Sequence, residues 1–552
     1  MTRTLAAIAL CVLSFAPASP QAAAMGRTLL TVLDAAQPET LVPVIVRLRD
    51  PASASIDMQA FRQDDRSARR RALVQALRSR AVRSQPSMAA TLSRQGGRQL
   101  RALWLINGLA AQLPAAAIRT LSTHPQVESI GLDEAIPLWN EIVPGAAPAH
   151  WNLEYIRAPD VWNLGHQGHG VVIATLDTGV DPSHPDIGPR WRGGANSWFD
   201  PNGEHPTPAD SDGHGTWTMG VLVGGDAGGS VIGVAPGAQW VAVKIFDDAG
   251  VASLSAIHLG FQWLLDPDGD PATDDAPDIV NNSWGFEEAP NVCIGEFETD
   301  IQVLRAAGIA VVFAAGNTGP AEASSISPAN NTGPVAVGAV DNAQSLANFS
   351  ARGPSACGSG QFPLLSAPGV GIRTSDRCFG PICDYTTVSG TSFAAPHVAG
   401  AMALLLSAVP DASIEAVEAA LAQTAVDLGV AGPDSGYGQG FIDVMAALQA
   451  LRCPADGVDT DGDGVTDACD NCVLIANAGQ RDSDADGYGN RCDTDLNNDG
   501  ITNSLDTALL RTAYLSGDAD ADFNGDGIVN GLDIGVLRSF YLQPPGPSGA
   551  VP

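Results

Sequence analysis

Residues 389–397 read Ser-Gly-Thr-Ser-Phe-Ala-Ala-Pro-His, and they join a tight glycine turn to an apolar run that predicts a buried helix. Ser392 lies at this junction, where the unpaired backbone N–H groups at the start of a helix stabilise negative charge. Such a position suits an acyl-transfer nucleophile. The alternative is a serine that only caps the helix, because Ser is a favoured N-cap residue whatever the function.

Two other segments place catalytic residue types at the ends of predicted elements. Residues 171–180 form an apolar run typical of a strand buried on both faces, and Asp177 lies near its end. Chemistry in open α/β sheets gathers at the carboxyl ends of strands, so Asp177 is a candidate catalytic acid, with a turn cap as the alternative. Residues 212–216 place His214 between two glycines at the start of another apolar helix.

These residues follow the chain order Asp, His, Ser, which is one of the orders in which catalytic triads occur. Asp177-Thr-Gly, His214-Gly-Thr and the Gly-Thr-Ser-Phe-Ala-Ala-Pro stretch around Ser392 resemble the three signature motifs of subtilisin-like serine peptidases. The resemblance covers residues 151–451 and implies an α/β fold, a three-layer domain with a mainly parallel sheet. It also implies that Ser392 attacks the scissile carbonyl, that His214 transfers the proton and that Asp177 orients the imidazole.

The resemblance extends to an oxyanion donor and a substrate pocket. Asn317 follows a second buried-strand pattern and resembles the family's oxyanion donor, although Asn-Thr-Gly is also ordinary turn chemistry. Residues 279–285 resemble the strand and loop that line the substrate cleft. Ser283, Trp284 and Gly285 are therefore expected to form one wall of the primary pocket, with a plain strand end as the alternative. Many relatives carry a second histidine where this chain has Trp217, a change expected to alter local packing and subsite shape.

The N-terminus predicts export. Residues 1–24 have the layout of a secretory signal peptide, with Arg3, an apolar stretch over residues 5–15 and small residues at 22–24. No later segment is expected to be long and apolar enough to span a membrane. We therefore expect a secreted, extracellular protein, either free or attached to the cell surface.

The cysteine count agrees with export. Of nine cysteines, Cys11 lies in the predicted signal peptide, and the remaining eight suit disulfide pairing in an oxidising compartment. Cys378 and Cys383 bracket a short loop and could pair, and Cys293 with Cys357 would then follow by elimination. The sequence leaves the connectivity open.

A basic segment follows the predicted signal peptide. Residues 66–77 predict an arginine-rich helix, residues 41–48, 108–113 and 127–130 predict strands, and a helix opens at Pro114. This order resembles the inhibitory propeptide of secreted subtilisin-like peptidases, a small α+β domain removed by self-cleavage. We assign it to residues 25–145, with the boundary expected between Pro137 and His150.

Charge favours docking of this segment onto the rest of the chain. Residues 26–137 hold fifteen arginines against nine carboxylates, whereas the whole chain has a net charge of −32. Opposite charges favour association of a basic propeptide with an acidic enzyme. A nucleic-acid-binding arm is the alternative, but no groove-reading motif accompanies the arginines, so no nucleic-acid partner is expected.

The last hundred residues are strongly acidic, and the spacing of their carboxylates indicates metal sites. From residue 453 onward the chain has eighteen aspartates, no glutamate and four arginines. Two loops match the oxygen-ligand positions 1, 3, 5 and 12 of an EF-hand calcium loop, with Asp in place of Glu at position 12. Their candidate ligands are Asp495, Asn497, Asp499 and Asp506 in the first loop and Asp522, Asn524, Asp526 and Asp533 in the second.

These paired loops, residues 494–543, resemble a dockerin, which implies a cohesin-like or cell-surface partner. Residues 453–493 resemble thrombospondin type 3 repeats, short turns wrapped around Ca²⁺ and stapled by disulfides. The resemblance makes Cys453–Cys469 and Cys472–Cys492 plausible pairs. The candidate ligands in these turns are Asp459, Asp461 and Asp463, followed by Asp482, Asp484 and Asp486. Residues 544–552 are expected to form a flexible end.

Two functions are compatible with the sequence. The first is a secreted serine endopeptidase that forms an acyl-enzyme on Ser392, is made as a self-processed zymogen and has its peptidase domain at residues 146–451. The second is a catalytically inactive subtilisin-like scaffold that acts in calcium-dependent adhesion. The joint presence of Asp177, His214, Asn317 and Ser392 favours the enzyme. The side-chain preference for substrate does not follow from the sequence.

Overall fold

The computed structural model describes residues 23–50, 65–138, 150–358, 360–453, 457–484 and 486–549. The predicted signal peptide lies outside the described residues except for Ala23 and Ala24. Most of the expected propeptide boundary, at residues 139–149, also lies outside them.

The described residues of the N-terminal segment, 23–50 and 65–138, form a sheet with helices on its flanks. The five-stranded sheet has the order β1-β5-β2-β4-β3, and β6 lies outside it. In chain order the elements are β1 (Ala24–Met25), α1 (Arg27–Ala35), β2 (Leu41–Leu48), α2 (Arg66–Arg94), β3 (Arg98–Leu103), β4 (Gly108–Pro114), α3 (Ala115–Leu121), β5 (Val127–Leu132) and β6 (Ala135–Pro137). The predicted strands and helices are confirmed, and α2 extends well beyond the predicted residues 66–77.

Alternation along β2 gives this sheet two apolar faces. Val44 and Val46 point into a core shared with α1, α3 and the end of α2. Ile45 points to the opposite face, where it joins a cluster that also includes residues of the helices that follow residue 253. The N-terminal segment is therefore packed against the rest of the chain through apolar contact as well as charge.

The second body is built on a seven-stranded sheet of order β14-β13-β12-β11-β7-β9-β8. All its strand pairs are parallel. Its strands are β7 (Val172–Asp177), β8 (Trp198–Phe199), β9 (Gln239–Lys244), β11 (Ile279–Asn282), β12 (Ala310–Ala314), β13 (Val335–Val340) and β14 (Leu365–Pro368). Outside this sheet, β10 (Val251–Ser253) pairs with β6, and β15 (Ile372–Phe379) and β16 (Ile382–Val388) form a hairpin.

Helices cover both faces of this sheet. They are α4 (Trp151–Tyr155), α5 (Ala158–Asn163), α6 (His214–Val223), α7 (Leu254–Leu264), α8 (Glu298–Ala306), α9 (Thr391–Ala408), α10 (Ile414–Gln423) and α11 (Val444–Arg452). On β7, Ile173 faces the layer of α9, and Ala174 faces the layer of α7 and α8. Strands buried on both faces form continuous apolar runs in the sequence, and these runs identified them. The predicted α/β fold with three layers and a parallel sheet is confirmed.

One helix among the described residues, α9, is long and apolar enough to match the dimensions of a membrane span. It differs from the expectation that no such segment exists. Its window is 89% buried inside the protein, because α9 packs against the centre of the sheet. A match to a membrane span by length and composition therefore identifies, in this protein, the buried core helix of the second body.

Residues 457–549 contain two short helices, α12 (Ser504–Thr512) and α13 (Gly531–Ser539), around a small core that includes Leu510, Phe523 and Leu537.

Four disulfides join the pairs that the sequence raised, namely Cys293–Cys357, Cys378–Cys383, Cys453–Cys469 and Cys472–Cys492. The expected flexible end makes contacts within its described part. Gly546 N donates to Cys492 O at 3.1 Å, and Gly549 N donates to Asp470 O at 2.8 Å.

Candidate active site

Asp177 and His214 meet at the carboxyl edge of the sheet. Asp177 is the last residue of β7, and His214 is the first residue of α6. His214 Nδ1 lies 2.7 Å from Asp177 Oδ1, and both side chains are at most 3% exposed. The glycines of the two motifs allow this approach, because a Cβ at Gly215 would overlap the carbonyl oxygen of Gly179. The two sequence motifs are therefore in direct contact.

The surroundings of His214 favour its protonated form. Burial by itself lowers the pKa of His214, but the charge and hydrogen bond of Asp177 outweigh it, and the pKa is raised above its usual value. Asp177 also accepts a hydrogen bond from Thr178 N at 2.7 Å, which fixes its carboxylate. His214 Nε2 is buried and has no hydrogen-bond partner among the described residues. The imidazole thus has one nitrogen held by a carboxylate and one available.

Ser392 is the second residue of α9, which begins at Thr391 directly after the glycine N-cap at residue 390. Its Oγ donates to the carbonyl oxygen of Ser283 at 3.2 Å. The ring of the next residue, Phe393, lies 5.8 Å from the His214 ring between centroids. The helix starts that carry His214 and Ser392 therefore face each other, although Ser392 Oγ is bonded to Ser283 in this conformation.

Asn317 is held beside Ser392 by a residue that the motif contains but that sequence analysis did not single out. Thr391 donates to Asn317 Oδ1 from both its backbone N and its Oγ1, each at 3.0 Å. These bonds fix the orientation of the Asn317 amide. Its Nδ2, the donor of the amide, makes no hydrogen bond among the described residues. Thr391 immediately precedes Ser392, so its place in the Gly-Thr-Ser motif was the available signal.

The expected pocket residues have different surroundings. Ser283 Oγ donates to Ser392 O at 2.7 Å, so this residue is bonded to the serine segment at both its backbone and its side chain. Trp284 is 6% exposed and packs among Phe261, Phe297 and Phe313. A Cβ at residue 285 would lie 2.6 Å from Ile326 Cδ1 and 3.0 Å from Ser327 O, so a larger residue there would have to displace these neighbours. All three residues line a small cavity that also contacts Ser392.

The same cavity is lined by two residues of the N-terminal segment, Pro137 and Leu138. Strand β6 pairs antiparallel with β10, placing Ile136 opposite Ala252. Leu138 N then donates to Gly250 O at 2.9 Å. Sequence analysis did not predict this strand, because a three-residue pairing with a distant partner has no periodic signal.

Trp217 is buried beside His214. Its indole Nε1 donates to Asp376 Oδ1 at 2.8 Å, and its ring packs with Trp151, Val221 and Phe393. The substitution of the family's second histidine therefore fills local space. It removes none of the contacts described for Asp177, His214 and Ser392.

The candidate metal ligands of the C-terminal segment form compact groups. Carboxylate oxygens of Asp459, Asp461 and Asp463 lie within 4.8 Å of one another, as do those of Asp482, Asp484 and Asp486. In the two longer loops, the first aspartates, Asp495 and Asp522, accept backbone N–H groups of the loops that they begin. The twelfth, Asp506 and Asp533, complete the capping boxes of α12 and α13, in which each accepts the backbone N–H of the N-cap asparagine. The remaining candidates, Asn497, Asp499, Asn524 and Asp526, lie within these same loops.

The C-terminal groups fit a hard cation. Asp506 is fully buried, and its Oδ1 has no hydrogen-bond partner among the described residues. A buried carboxylate oxygen without a donor is costly unless a cation or proton accompanies it. The donor set consists of carboxylate and amide oxygens, which are the ligands that Ca²⁺ prefers.

Comparison with known proteins matches both parts of the chain. The model of the Thrombospondin type 3 repeat matches residues 453–480 and 481–508, so its second match includes the first of the two paired loops. The model of the Subtilase family matches residues 168–440.

Curated relatives match more than half of the chain. Bacillopeptidase F of Bacillus subtilis (strain 168) is 33% identical over 422 residues, covering 69% of this chain and 29% of that protein. Subtilisin E of the same strain is 32% identical over 360 residues, covering 65% of this chain and 85% of subtilisin E. The thermostable alkaline protease of Halalkalibacterium halodurans is 33% identical over 344 residues, covering 61% of this chain and 82% of that protein. Family model, identity and the parallel-sheet fold agree, and the chain belongs to the subtilase family as a subtilisin-like serine peptidase.

Proposed function

We propose that the protein is a secreted serine endopeptidase in which Asp177, His214 and Ser392 act as the catalytic triad. The observation that carries this proposal is the 2.7 Å contact between His214 Nδ1 and Asp177 Oδ1, with His214 Nε2 left unpaired among the described residues. In the proposed reaction Ser392 Oγ exchanges the Ser283 carbonyl for His214 Nε2. Hydrogen bonds of this kind are often loose before substrate binds.

Each step of the reaction has a residue to perform it. His214 Nε2 takes the proton of Ser392 as Oγ attacks the scissile carbonyl, and it later gives that proton to the leaving amine. Asp177 stabilises the imidazolium, in agreement with the raised pKa of His214. Asn317 Nδ2, oriented by Thr391, and the backbone N–H of Ser392 would donate to the oxyanion. Removing one such side-chain donor from a subtilisin lowers turnover by about 10²–10³.

We also propose that the chain is made as a zymogen whose propeptide, assigned to residues 25–145, inhibits the enzyme. Support comes from β6, which pairs with β10 as an added strand and leads Pro137 and Leu138 to the cavity beside Ser392. Extended peptides commonly bind a peptidase cleft by such strand addition. Because the described segment enters the cleft up to Leu138, we expect self-cleavage among residues 139–149.

For the C-terminal segment we propose structural Ca²⁺ sites. The ions would be held by the aspartate groups at 459–463 and 482–486 and by the loops at 495–506 and 522–533. Bound Ca²⁺ would offset the mutual repulsion of these carboxylates. The exposed faces of α12 and α13 carry Leu505, Leu509 and Leu532. This apolar face supports a dockerin-like partner surface for a cohesin-like or cell-surface protein. Four disulfides and the signal-peptide pattern support secretion.

The proposal is tested by expressing the full chain and its Ser392→Ala variant in the presence of calcium. We expect the parent to lose the N-terminal segment, as measured by mass spectrometry, and to degrade an unfolded protein substrate. The variant should keep the segment and lack hydrolysis. Ser345→Ala serves as the matched control, since it removes a serine hydroxyl from an exposed turn of the peptidase body outside the proposed site. Equal processing and hydrolysis by parent and Ser392→Ala would refute the assignment.

A further inference from the structure

The loop between α7 and β11, residues 265–278, contains an acidic group that lies outside the proposed active site and the C-terminal repeats. Carboxylate oxygens of Asp266, Asp268 and Asp275 lie within 4.8 Å of one another. The Asp266 side chain is 1% exposed, which is unusual for a carboxylate. Sequence analysis assigned no metal ligand here.

Backbone and side-chain donors fix the positions of Asp268 and Asp275. Asp275 Oδ2 accepts from Asp268 N and from Asn196 Nδ2, each at 3.0 Å. Asp268 Oδ2 accepts from Thr273 Oγ1 at 2.8 Å. Arg192 lies nearby and donates to the backbone oxygen of Asp275 at 2.6 Å. The loop is therefore ordered around three carboxylates that point toward one another.

A cation from the N-terminal segment lies at this group. Arg78 of α2 places Nη2 at 2.6 Å from Asp266 Oδ2, and its Nη1 donates to Gly269 O at 2.8 Å. The guanidinium also lies over the Trp104 ring, with 5.2 Å to the centroid. Asp266 Oδ1 is buried and has no hydrogen-bond partner in the described part of the chain. The acidic group thus binds the Arg78 guanidinium and retains one carboxylate oxygen, Asp266 Oδ1, without a donor.

Removal of the propeptide takes Arg78 and Trp104 away. Arg192 stays beside Asp268 and Asp275, but Asp266 would lose the cation that it faces in the unprocessed chain, and three carboxylates beside one arginine repel one another unless a second cation replaces Arg78. Three carboxylates and the Gly269 carbonyl are oxygen donors of the kind that bind Ca²⁺. We propose that Asp266, Asp268 and Asp275 form a divalent-cation site, suited to calcium, that Arg78 closes in the zymogen and that opens on propeptide release.

This site couples calcium to activation. An ion that binds only the propeptide-free enzyme weakens propeptide binding, and the propeptide weakens ion binding by the same factor. Calcium would therefore promote release of the inhibitor after self-cleavage. The inference rests on the proposed zymogen for its activation step, whereas the metal site itself is a property of the peptidase domain.

The test counts bound calcium by equilibrium dialysis and elemental analysis. Processed parent chain, stopped with a serine-reactive sulfonyl fluoride, should bind one ion more per chain than the unprocessed Ser392→Ala chain. The processed Asp268→Asn/Asp275→Asn variant should lose that ion. Asp226→Asn/Asp270→Asn is the matched control, because it makes the same charge change at exposed positions of the peptidase body outside the group and should keep the ion.

A second arm avoids processing altogether. Arg78→Ala in the Ser392→Ala chain should gain one calcium ion, whereas Arg71→Ala, on the same helix but exposed, should gain none. If the parent sheds its propeptide and binds no more calcium than the Ser392→Ala chain, and the Arg78 variant gains nothing, the site is refuted. If the parent is not processed at all, the proposed zymogen fails, and the Arg78 arm alone decides the metal site. Should Asp268→Asn/Asp275→Asn not fold, that arm again decides.

Discussion

Replacement of Arg70 by alanine should release the propeptide from the enzyme. Arg70 lies on α2, and its side chain is 7% exposed at the contact with the peptidase body. Its guanidinium donates to the carbonyl oxygens of Ala307, Ala276 and Pro277 at 3.1, 3.3 and 3.0 Å. It also forms an ion pair of 3.0 Å with Asp274. One side chain therefore satisfies four acceptors across the interface.

The expected magnitude follows from burial. Asp274 is about half exposed and regains water, so the cost comes mainly from the three carbonyl oxygens that lose a charged donor. A buried acceptor left without its donor costs about 1–3 kcal/mol, which gives roughly 3–5 kcal/mol for the group. At about 1.4 kcal/mol per factor of ten, the dissociation constant of the propeptide should rise by roughly 10²–10⁴. The effect on unbound, mature enzyme should be nil, because Arg70 leaves with the propeptide.

The assay is dilution of the self-processed complex followed by hydrolysis of a small chromogenic peptide. The concentration of complex at which half of the enzyme is active should be higher for Arg70→Ala than for the parent by a factor of roughly 10²–10⁴. Arg71→Ala removes the same charge from an exposed position of the same helix and should change this concentration less than about threefold. Equal midpoints for Arg70→Ala and parent would refute the argument. Equal shifts for the two variants would mean that net charge, and not the buried contacts, holds the propeptide.

Two further outcomes are expected. Burial lowers the pKa of His258, but Asp300 at 2.9 Å and Glu296 at 3.0 Å outweigh it and raise the pKa to about 9. Protonated His258 therefore stabilises the fold fully below about pH 6.5, and this stabilisation is lost as the pH rises to 9. The melting temperature of the Ser392→Ala chain should fall over this pH window, and the added His258→Gln change should flatten that dependence. An unchanged slope of melting temperature against pH in the His258→Gln variant would contradict this. Chelation should make residues 457–549 of the Ser392→Ala chain sensitive to an added protease, with resistance restored by calcium; resistance that persists in chelator would contradict the calcium sites.

Local patterns were sufficient for much of the peptidase body. The central strands are buried on both faces, so they appear as apolar runs; Asp177 ends one of them and Asn317 follows another. Glycines mark the turns before His214 and Ser392, because these turns need conformations or approaches that a side chain prevents. The pairing of cysteines was open in sequence, and the fold brought all four pairs together.

The sequence by itself determined the α/β class, the candidate catalytic residues and the acidic loops, since each depends on residues close in the chain. Only the tertiary structure decided which distant groups meet: Thr391 with Asn317, β6 with β10, and the arginines of α2 with the aspartates of residues 266–278. The charge count predicted attraction, because total charge is a sum over the chain. The contacts themselves depend on orientation and burial, which arise only when the helices and sheet have packed.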